Sequence, residues 1–489
     1  LDFSGTSAGT VIMEAMGTLT SGRIWQETVK LKGSIDIDVK VTIPSYTHLD
    51  MTGAYLKAIN SLDATIFENE DTSSGNSFIT ITNGVIDGNK SNQSVISTGN
   101  DNGSGIVFAN TSFCKVMGSK IKDCYTRGFA TRGTLNSMNV VGYCHFLDNG
   151  DSRETNGRWN NLVLAYGKDN LVIGCLLERG ASTQITIYQE TNTSVIGCVI
   201  RGPQVEGGSG TAIDGLGTAW GSGIRISNCL YDTTFKGIQL TWEGPTKDVS
   251  ITNCELKNMS GGGVNIETNY TTPHTLQNIL IANCLIHDNT TTGGSGIRVG
   301  ADSSYSNLSL IKNIVITGNK IYDNVSHGIW VKEDTGTIQN VLISNNQLIN
   351  NGDAGASYHN VYVDADRVDV VNNQMSEAPY GYDIYTDSDG TSIRILNNNL
   401  NSTNKIDDNA TSTEIRGNVG YITENSGANT VDSGESFSTG LATVPASVYL
   451  SARGTGTVNV SWNTVDTSNT IVVYHDAGAS IAVSWRAEV

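Results

Sequence analysis

"ISNC" at 226–229, "ITNC" at 251–254 and "IANC" at 281–284 repeat one short phrase: an apolar residue, a small residue, Asn and Cys. In register with them stand "VIGC" (172–175), "VIGC" (195–198), "ITGN" (316–319), "ISNN" (343–346), "VVNN" (370–373) and "ILNN" (395–398). From one phrase to the next the interval runs between 23 and 35 residues. Self-similarity on that scale marks a solenoid, in which each short unit buries its apolar face only against its neighbours.

Each unit holds a second apolar strand, often opened by glycine: "GIQLTWEG" (237–244), "GVNIETN" (263–269), "GIRVGAD" (296–302) and "GIWVKED" (328–334). Related strands are "QITIYQE" (184–190), "NVYVDAD" (360–366) and "YDIYTDSDG" (382–390). Alternation of period two turns one face of every strand inward. Units too short for a helix, with two or three strands each, stack as coils about 4.8 Å apart in parallel sheets. The last position of the phrase then piles up at an interior corner. It reads Cys175, Cys198, Cys229, Cys254 and Cys284, then Asn319, Asn346, Asn373 and Asn398. Small thiols pack there, and the asparagine amides bond to those above and below. Five of the eight cysteines share this position, with Cys114, Cys124 and Cys144 in earlier turns. That distribution favours free, buried thiols over a disulfide framework, and no C-x-x-C pair offers a zinc site.

Composition agrees with an all-β chain. The 489 residues include 54 glycines and six prolines, only 16% are charged, and no long amphipathic helical pattern occurs. A net charge of −18 argues against a nucleic-acid partner, which calls for a basic face. No apolar run approaches the roughly 18 residues of a membrane span, and no signal peptide is recognisable.

These coils resemble the right-handed single-stranded parallel β-helix of the pectin-lyase-like superfamily. "VTIPSYTHLDMTGAYLKA" (41–58) and "ITNGVIDGNKSNQS" (81–94) are similar to the first coils of such proteins, and the likeness covers roughly residues 40–420. The superfamily holds pectate lyases, polygalacturonases, alginate lyases and epimerases, and phage tailspike depolymerases. The fold implied is an N-terminal cap over 1–40, a parallel β-helix over 41–429 and a small antiparallel β module over 430–489. "GRIWQETVKLKGSIDIDVKV" is expected to supply irregular capping strands. The resemblance also implies an extracellular protein, secreted or on a virion surface, with a polysaccharide partner. For a tailspike-like protein a homotrimer is the assembly to test.

A β-helix interior is filled, so chemistry must sit on an outer face. Alternation on the glycine-opened strands gives one outward column of Asp214, Gln239, Asn265, Arg298, Trp330, Tyr362 and Tyr385. The next holds Arg132, Tyr188, Thr241, Glu267, Lys332, Asp364 and Asp387, and a third holds Glu190, Glu243, Asp302 and Asp334. Aromatic faces suit the C–H faces of sugars, and the polar neighbours suit their hydroxyls. Asp214, Glu243 and Glu267 are the candidate catalytic carboxyls, since glycoside hydrolysis needs two. Neighbouring coils would hold them roughly 5 Å apart, as in retaining enzymes, and two coils about 9–10 Å, as in inverting ones. Arg298, Trp330, Lys332, Tyr188, Gln239, Asn265 and Trp242 are the candidate substrate contacts. A uronate lyase would instead need a base and a cation, from Arg298, Lys332 or Ca²⁺; otherwise no cofactor is expected. The polygalacturonase motifs and the D-P-H signature of alginate epimerases do not occur. "DADRVD" (364–369) and "DSDG" (387–390) look like calcium loops but lack EF-hand spacing. A glycoside hydrolase is the leading expectation, ahead of a non-catalytic adhesin or receptor-binding spike and a uronate lyase.

Overall fold

The computed structural model describes residues 7–488 apart from 95–100, 152–159, 182, 203–215, 220, 241–244, 269–273, 302–309, 334–335, 354, 356, 422–423, 432, 439–440, 442–446, 454–459, 465–469 and 476–480. Among the described residues, three parallel sheets of 15, 14 and 14 strands run the length of a right-handed β-helix. Each coil gives one strand in turn to sheets 1, 2 and 3. Sheet 1 runs from Glu27–Lys30 to Glu414–Arg416, sheet 2 from Gly33–Ile37 to Asn399–Leu400, and sheet 3 from Val41–Ile43 to Ile406–Asp408.

The apolar residue that opens each phrase is an inward residue of sheet 1. Ile226, Ile251, Ile281, Ile316, Ile343, Val370, Ile395 and Ile415 pair in one continuous register. From Ile226 to Ile395 every member is closed to solvent, and burying such a side chain contributes about 1.5–3 kcal/mol. The Asn or Gly that follows turns the chain from sheet 1 into sheet 2. Asn228, Asn253, Asn283, Gly318, Asn345, Asn372 and Asn397 all have φ between 55 and 67°. Only Gly, and less readily Asn or Asp, takes that left-handed conformation at small cost.

The corner column forms as the repeat implies and runs on at both ends, to Cys144 on one side and Asn418 on the other. The residue after each column position donates its N–H to the carbonyl of the column residue one coil earlier, from Leu176 on Cys144 to Lys320 on Cys284. Cys144 therefore belongs to the column. The thiols of Cys144, Cys175, Cys229, Cys254 and Cys284 point at carbonyls of their own and an earlier coil, as Cys229 does at Ser227 (3.3 Å) and Val195 (3.7 Å). All eight cysteines are free and buried.

The first coil is covered by a helix and not by strands. Ala8–Gly17 buries Ile12 and Met16 against Gly33–Ile37 and Val41–Ile43. Ser7 caps it by accepting from the Thr10 N–H (3.4 Å) and donating to Asp38 (2.6 Å). Glu27–Lys30 and Gly33–Ile37, expected to be irregular, are full members of sheets 1 and 2. The parallel ladder thus begins before the expected boundary at 41. After Arg416 the pattern changes to two three-stranded antiparallel sheets, beginning at Glu424 and built around Val473, Val483, Trp485 and Ala487.

Candidate functional site

Sheet 3 carries the outward ladder. Ile238, Val264, Ile297, Ile329, Val361 and Ile384 point inward, all 0% exposed. Between them Gln239, Asn265, Arg298, Trp330, Tyr362 and Tyr385 pair in one register on successive coils. The coil before Gln239 contributes Gly217 to this register, where the sequence column had Asp214. In the next column Glu267, Gly300, Lys332 and Asp364 follow one another. Asp387 comes one coil later, its N–H on the Val363 carbonyl at 2.8 Å.

A chain of charge and aromatic contact runs along the ladder. Glu267 is 3% exposed, and its Oε2 accepts from Lys236 Nζ at 2.8 Å. Its Oε1 lies 3.2 Å from Arg298 Nε, an ion pair whose geometry makes no hydrogen bond. The Arg298 guanidinium stands 4.3 Å from the Trp330 ring centroid, a cation–π contact. Gly300 makes room for that indole, since a Cβ there would sit 2.8 Å from its Cζ3. Trp330 lies 6.4 Å from Tyr362 and Tyr362 lies 5.4 Å from Tyr385, with ring planes within 20° and 11°. All three rings are half-buried. The Tyr362 hydroxyl donates to Asp387 at 2.6 Å and holds that carboxyl below the usual range.

Two buried histidines underlie the rings. His327 Nδ1 accepts the His359 N–H at 3.1 Å, and His359 Nδ1 accepts the Tyr382 N–H at 3.0 Å. His359 stacks on Tyr385 at 4.6 Å. Burial pushes His359 down to about 4. Burial, with the charges of His359 and Arg298, pushes His327 well below its ordinary value. Both rings are neutral at pH 7, which leaves the platform an apolar, hydrogen-bonded support. The repeat "HGIW", "HNVY", "YDIY" carries this pairing in the sequence, although alternation alone drew attention only to its last residue.

Two acids beside the platform differ in character. Burial, with the nearby charge of Asp366, raises the Glu333 carboxyl, whereas Asp387 is lowered. Groups whose environments push them apart are what acid–base chemistry requires. Glu333 follows Lys332, one position past the column that Lys332, Asp364 and Asp387 share, and its Oε2 accepts the Ile338 N–H at 3.2 Å. Glu190, expected on the outer face, turns inward and is 0% exposed. Asn170 (2.8 Å) and Thr193 (2.6 Å) donate to its Oε2, and burial raises its carboxyl.

Of the candidate catalytic residues, Asp214 and Glu243 lie outside the described residues, as does Trp242. Glu267 is described and held between two cations. Arg298, Trp330 and Lys332 come together on the platform. Gln239 and Asn265 share the column but are closed to solvent at 9% and 0% exposure. Tyr188 sits two coils before Gln239, its ring edge-on to Tyr166 at 5.2 Å, against the outward Val107, Ala130 and Val163. Among the described residues no group of three or more His, Cys, Asp or Glu side chains could hold a metal ion, the two suspected calcium loops included. No described helix is long and apolar enough to cross a membrane.

The family described as right handed beta helix region matches residues 155–310 and 244–400, which together cover half of the chain. No curated protein matches. Among solved structures, the tailspike protein of E. coli bacteriophage HK620 in complex with pentasaccharide is similar, at 12% identity and a TM-score of 0.57, over 99% of this chain and 90% of that one. Pre-mature bacteriophage phi29 gene product 12 is similar at 15% identity and a TM-score of 0.56, over 81% of this chain. The match takes in 52% of the phi29 protein, about half of its length.

Proposed function

Since the chain belongs to the right-handed β-helix family, its ligand must lie outside the filled coils, and we propose that this ligand is a polysaccharide held on the outer face of sheet 3. The observation that carries the proposal is the continuous ladder of Arg298, Trp330, Tyr362 and Tyr385. Half-buried aromatic rings, stacked coil upon coil, present a continuous apolar edge to successive sugars, and flanking Lys332 and Asp387 supply hydroxyl partners. The HK620 tailspike, solved with a pentasaccharide, supports that ligand class. An extracellular or virion-surface location and a homotrimer are part of the same tailspike-like reading.

For cleavage the proposal is hydrolysis. Glu333, raised, is the general acid, and Asp387, lowered, is the base. They stand on strands two coils apart, the wider spacing that an inverting mechanism calls for. The burial of Glu267 between Lys236 and Arg298 suits it to positioning Arg298 against Trp330; Asp214 and Glu243 remain alternative acids. No cofactor enters this scheme; Ca²⁺ belongs to the lyase reading.

Digestion of bacterial surface polysaccharides followed by product analysis tests it. New reducing ends without absorbance near 235 nm select the hydrolase, and that absorbance selects the lyase. Tight binding without products selects the adhesin, which the aromatic ladder would serve unchanged. Among hydrolase variants, Glu333→Gln and Asp387→Asn are each expected to lower kcat about 10²–10⁴-fold. Unchanged turnover in both returns the chemistry to Asp214, Glu243 and Glu267, to be substituted by their amides in turn.

A further inference from the structure

At the N-terminal end of sheet 1 the outer face is a trough between two raised edges, and one edge is built at a cost. Tyr46, Phe78 and Phe113 occupy its turn position on three coils, with φ of 57, 60 and 57°. Farther along the same edge that position holds Met138 and Arg367 and, between them, Asp169, Asn192, Gly223, Asp248, Asn278, Asn313 and Asn340, mostly residues that tolerate a left-handed backbone. A bulky ring there is disfavoured, and these rings gain little burial in return. Phe78 is 37% and Phe113 43% exposed. They stack on one another at 5.0 and 5.1 Å, within 18° of parallel. Residues held in costly conformations on a surface point to function when something else about them points the same way.

The surroundings do. Beside the stack lies a cleft of about 240 Å³ lined by Trp25, Gln26, Thr80 and Lys115. Trp25 is 55% exposed. Across the strand Thr80–Thr82 lies a second cleft, of about 350 Å³, lined by His48, Asp50, Thr82, Asn83 and Tyr143. Thr80 opens into one and Thr82 into the other, so the two share a floor. His48 is fixed there by Thr82 at 2.9 Å and Thr28 at 3.2 Å. On the far edge Tyr143 is 63% exposed, its ring laid over Gly174.

We propose that this trough is a second carbohydrate site, taking a neutral oligosaccharide whose apolar ring faces rest on Trp25 and Tyr143. Its hydroxyls meet His48, Asp50 and Asn83. Aromatic faces beside a carboxylate, an amide and an imidazole are the combination a pyranose ring needs. Among the residues lining the two clefts Lys115 is the one lysine and Asp50 the one carboxylate, a lining that favours an uncharged sugar over a uronate. The trough lies on a different sheet from the platform around Trp330 and does not depend on it.

The experiment labels the seven tryptophans with 5-fluorotryptophan and follows their ¹⁹F resonances, those of Trp25 and Trp330 being assigned with Trp25→Phe and Trp330→Phe. Maltohexaose, cellohexaose, a mannan hexasaccharide and dextran fragments are the neutral probes, with oligogalacturonate as the acidic one. A saturable shift of the Trp25 resonance with a neutral probe, kept in Trp330→Phe and weakened about tenfold in Tyr143→Ala, is expected, a loss of about 1.4 kcal/mol. A Trp25 resonance that stays still with every neutral probe, or moves with oligogalacturonate alone, overturns the proposal. Movement that vanishes in Trp330→Phe overturns it as well, because the sugar would then be bound on sheet 3.

Discussion

Asn346 gives both its backbone N–H and its side-chain Nδ2 to one atom, Oδ1 of Asn373 on the next coil, at 2.9 and 3.0 Å. Asn319 does the same to Asn346, Asn373 to Asn398, and Asn398 to Asn418. Nδ2 of Asn346 also donates to the Ile316 carbonyl at 2.9 Å. Every amide is thus saturated in a solvent-free corner, and each coil is keyed to the next by side chains as well as by backbone.

Asn346→Ala should therefore cost far more than its size suggests. The Asn319 N–H and amide lose their acceptor, and the Ile316 carbonyl loses a donor. With buried polar groups left unmet, the expected loss is about 3 kcal/mol, read as a lower denaturant midpoint.

One residue earlier the rule is different. Asn345 has φ 55° and is exposed. Asn345→Val is expected to cost about 1–2 kcal/mol through backbone strain, while Asn345→Gly leaves the melting temperature within a degree or two. Equal stability of the two variants would show that φ is not what selects Asn there.

The eight thiols should be silent in the native protein. All are buried and free, and burial pushes the Cys114 thiol up to about 12. A thiol reagent at pH 8 is expected to label none natively and all eight after unfolding. Fewer than eight in the unfolded chain would reveal a disulfide.

Acid should weaken the platform end of the helix. The folded value of His359, about 4, lies below its unfolded value near 6.5. Below pH 6.5 the unfolded chain binds the proton first, so the stabilisation present above that pH is lost as pH falls towards 4. For His359, 3% exposed, the loss is on the order of 3 kcal/mol. His359→Asn, which keeps an acceptor for the Tyr382 N–H, should flatten the stability profile between pH 6.5 and 4; an unchanged slope would remove His359 as its cause.

Trp330 is expected to dominate recognition on sheet 3. Trp330→Ala removes a ring that touches Arg298 on one coil and Tyr362 on the next, and should weaken glycan binding more than about tenfold. Calorimetry with a bound oligosaccharide measures it, and circular dichroism checks that the coils persist.

Local pattern and tertiary context divided the determination of this protein unevenly. The stacking was written in the chain itself: the recurring Ile-x-Asn-Cys phrase specifies an inward apolar residue, a left-handed turn and a corner side chain, and each of these is a property of a few consecutive residues. Alternation likewise placed Arg298, Trp330 and Lys332 on one outer face, since period two holds within any strand. It failed at turns and under cover. Glu190 follows Gln189, whose φ of 52° reverses the direction of the chain, and so points inward. Val107 and Ala130 face outward by register yet are 0% exposed. Asn265 is likewise outward and closed. Which coil a residue meets depends on the lengths of the connections before it, and what lies over it depends on segments distant in sequence. Only the assembled helix could decide that Arg298 bridges Glu267 to Trp330, or that histidines at 327 and 359 carry the aromatic platform, because those contacts arise between coils.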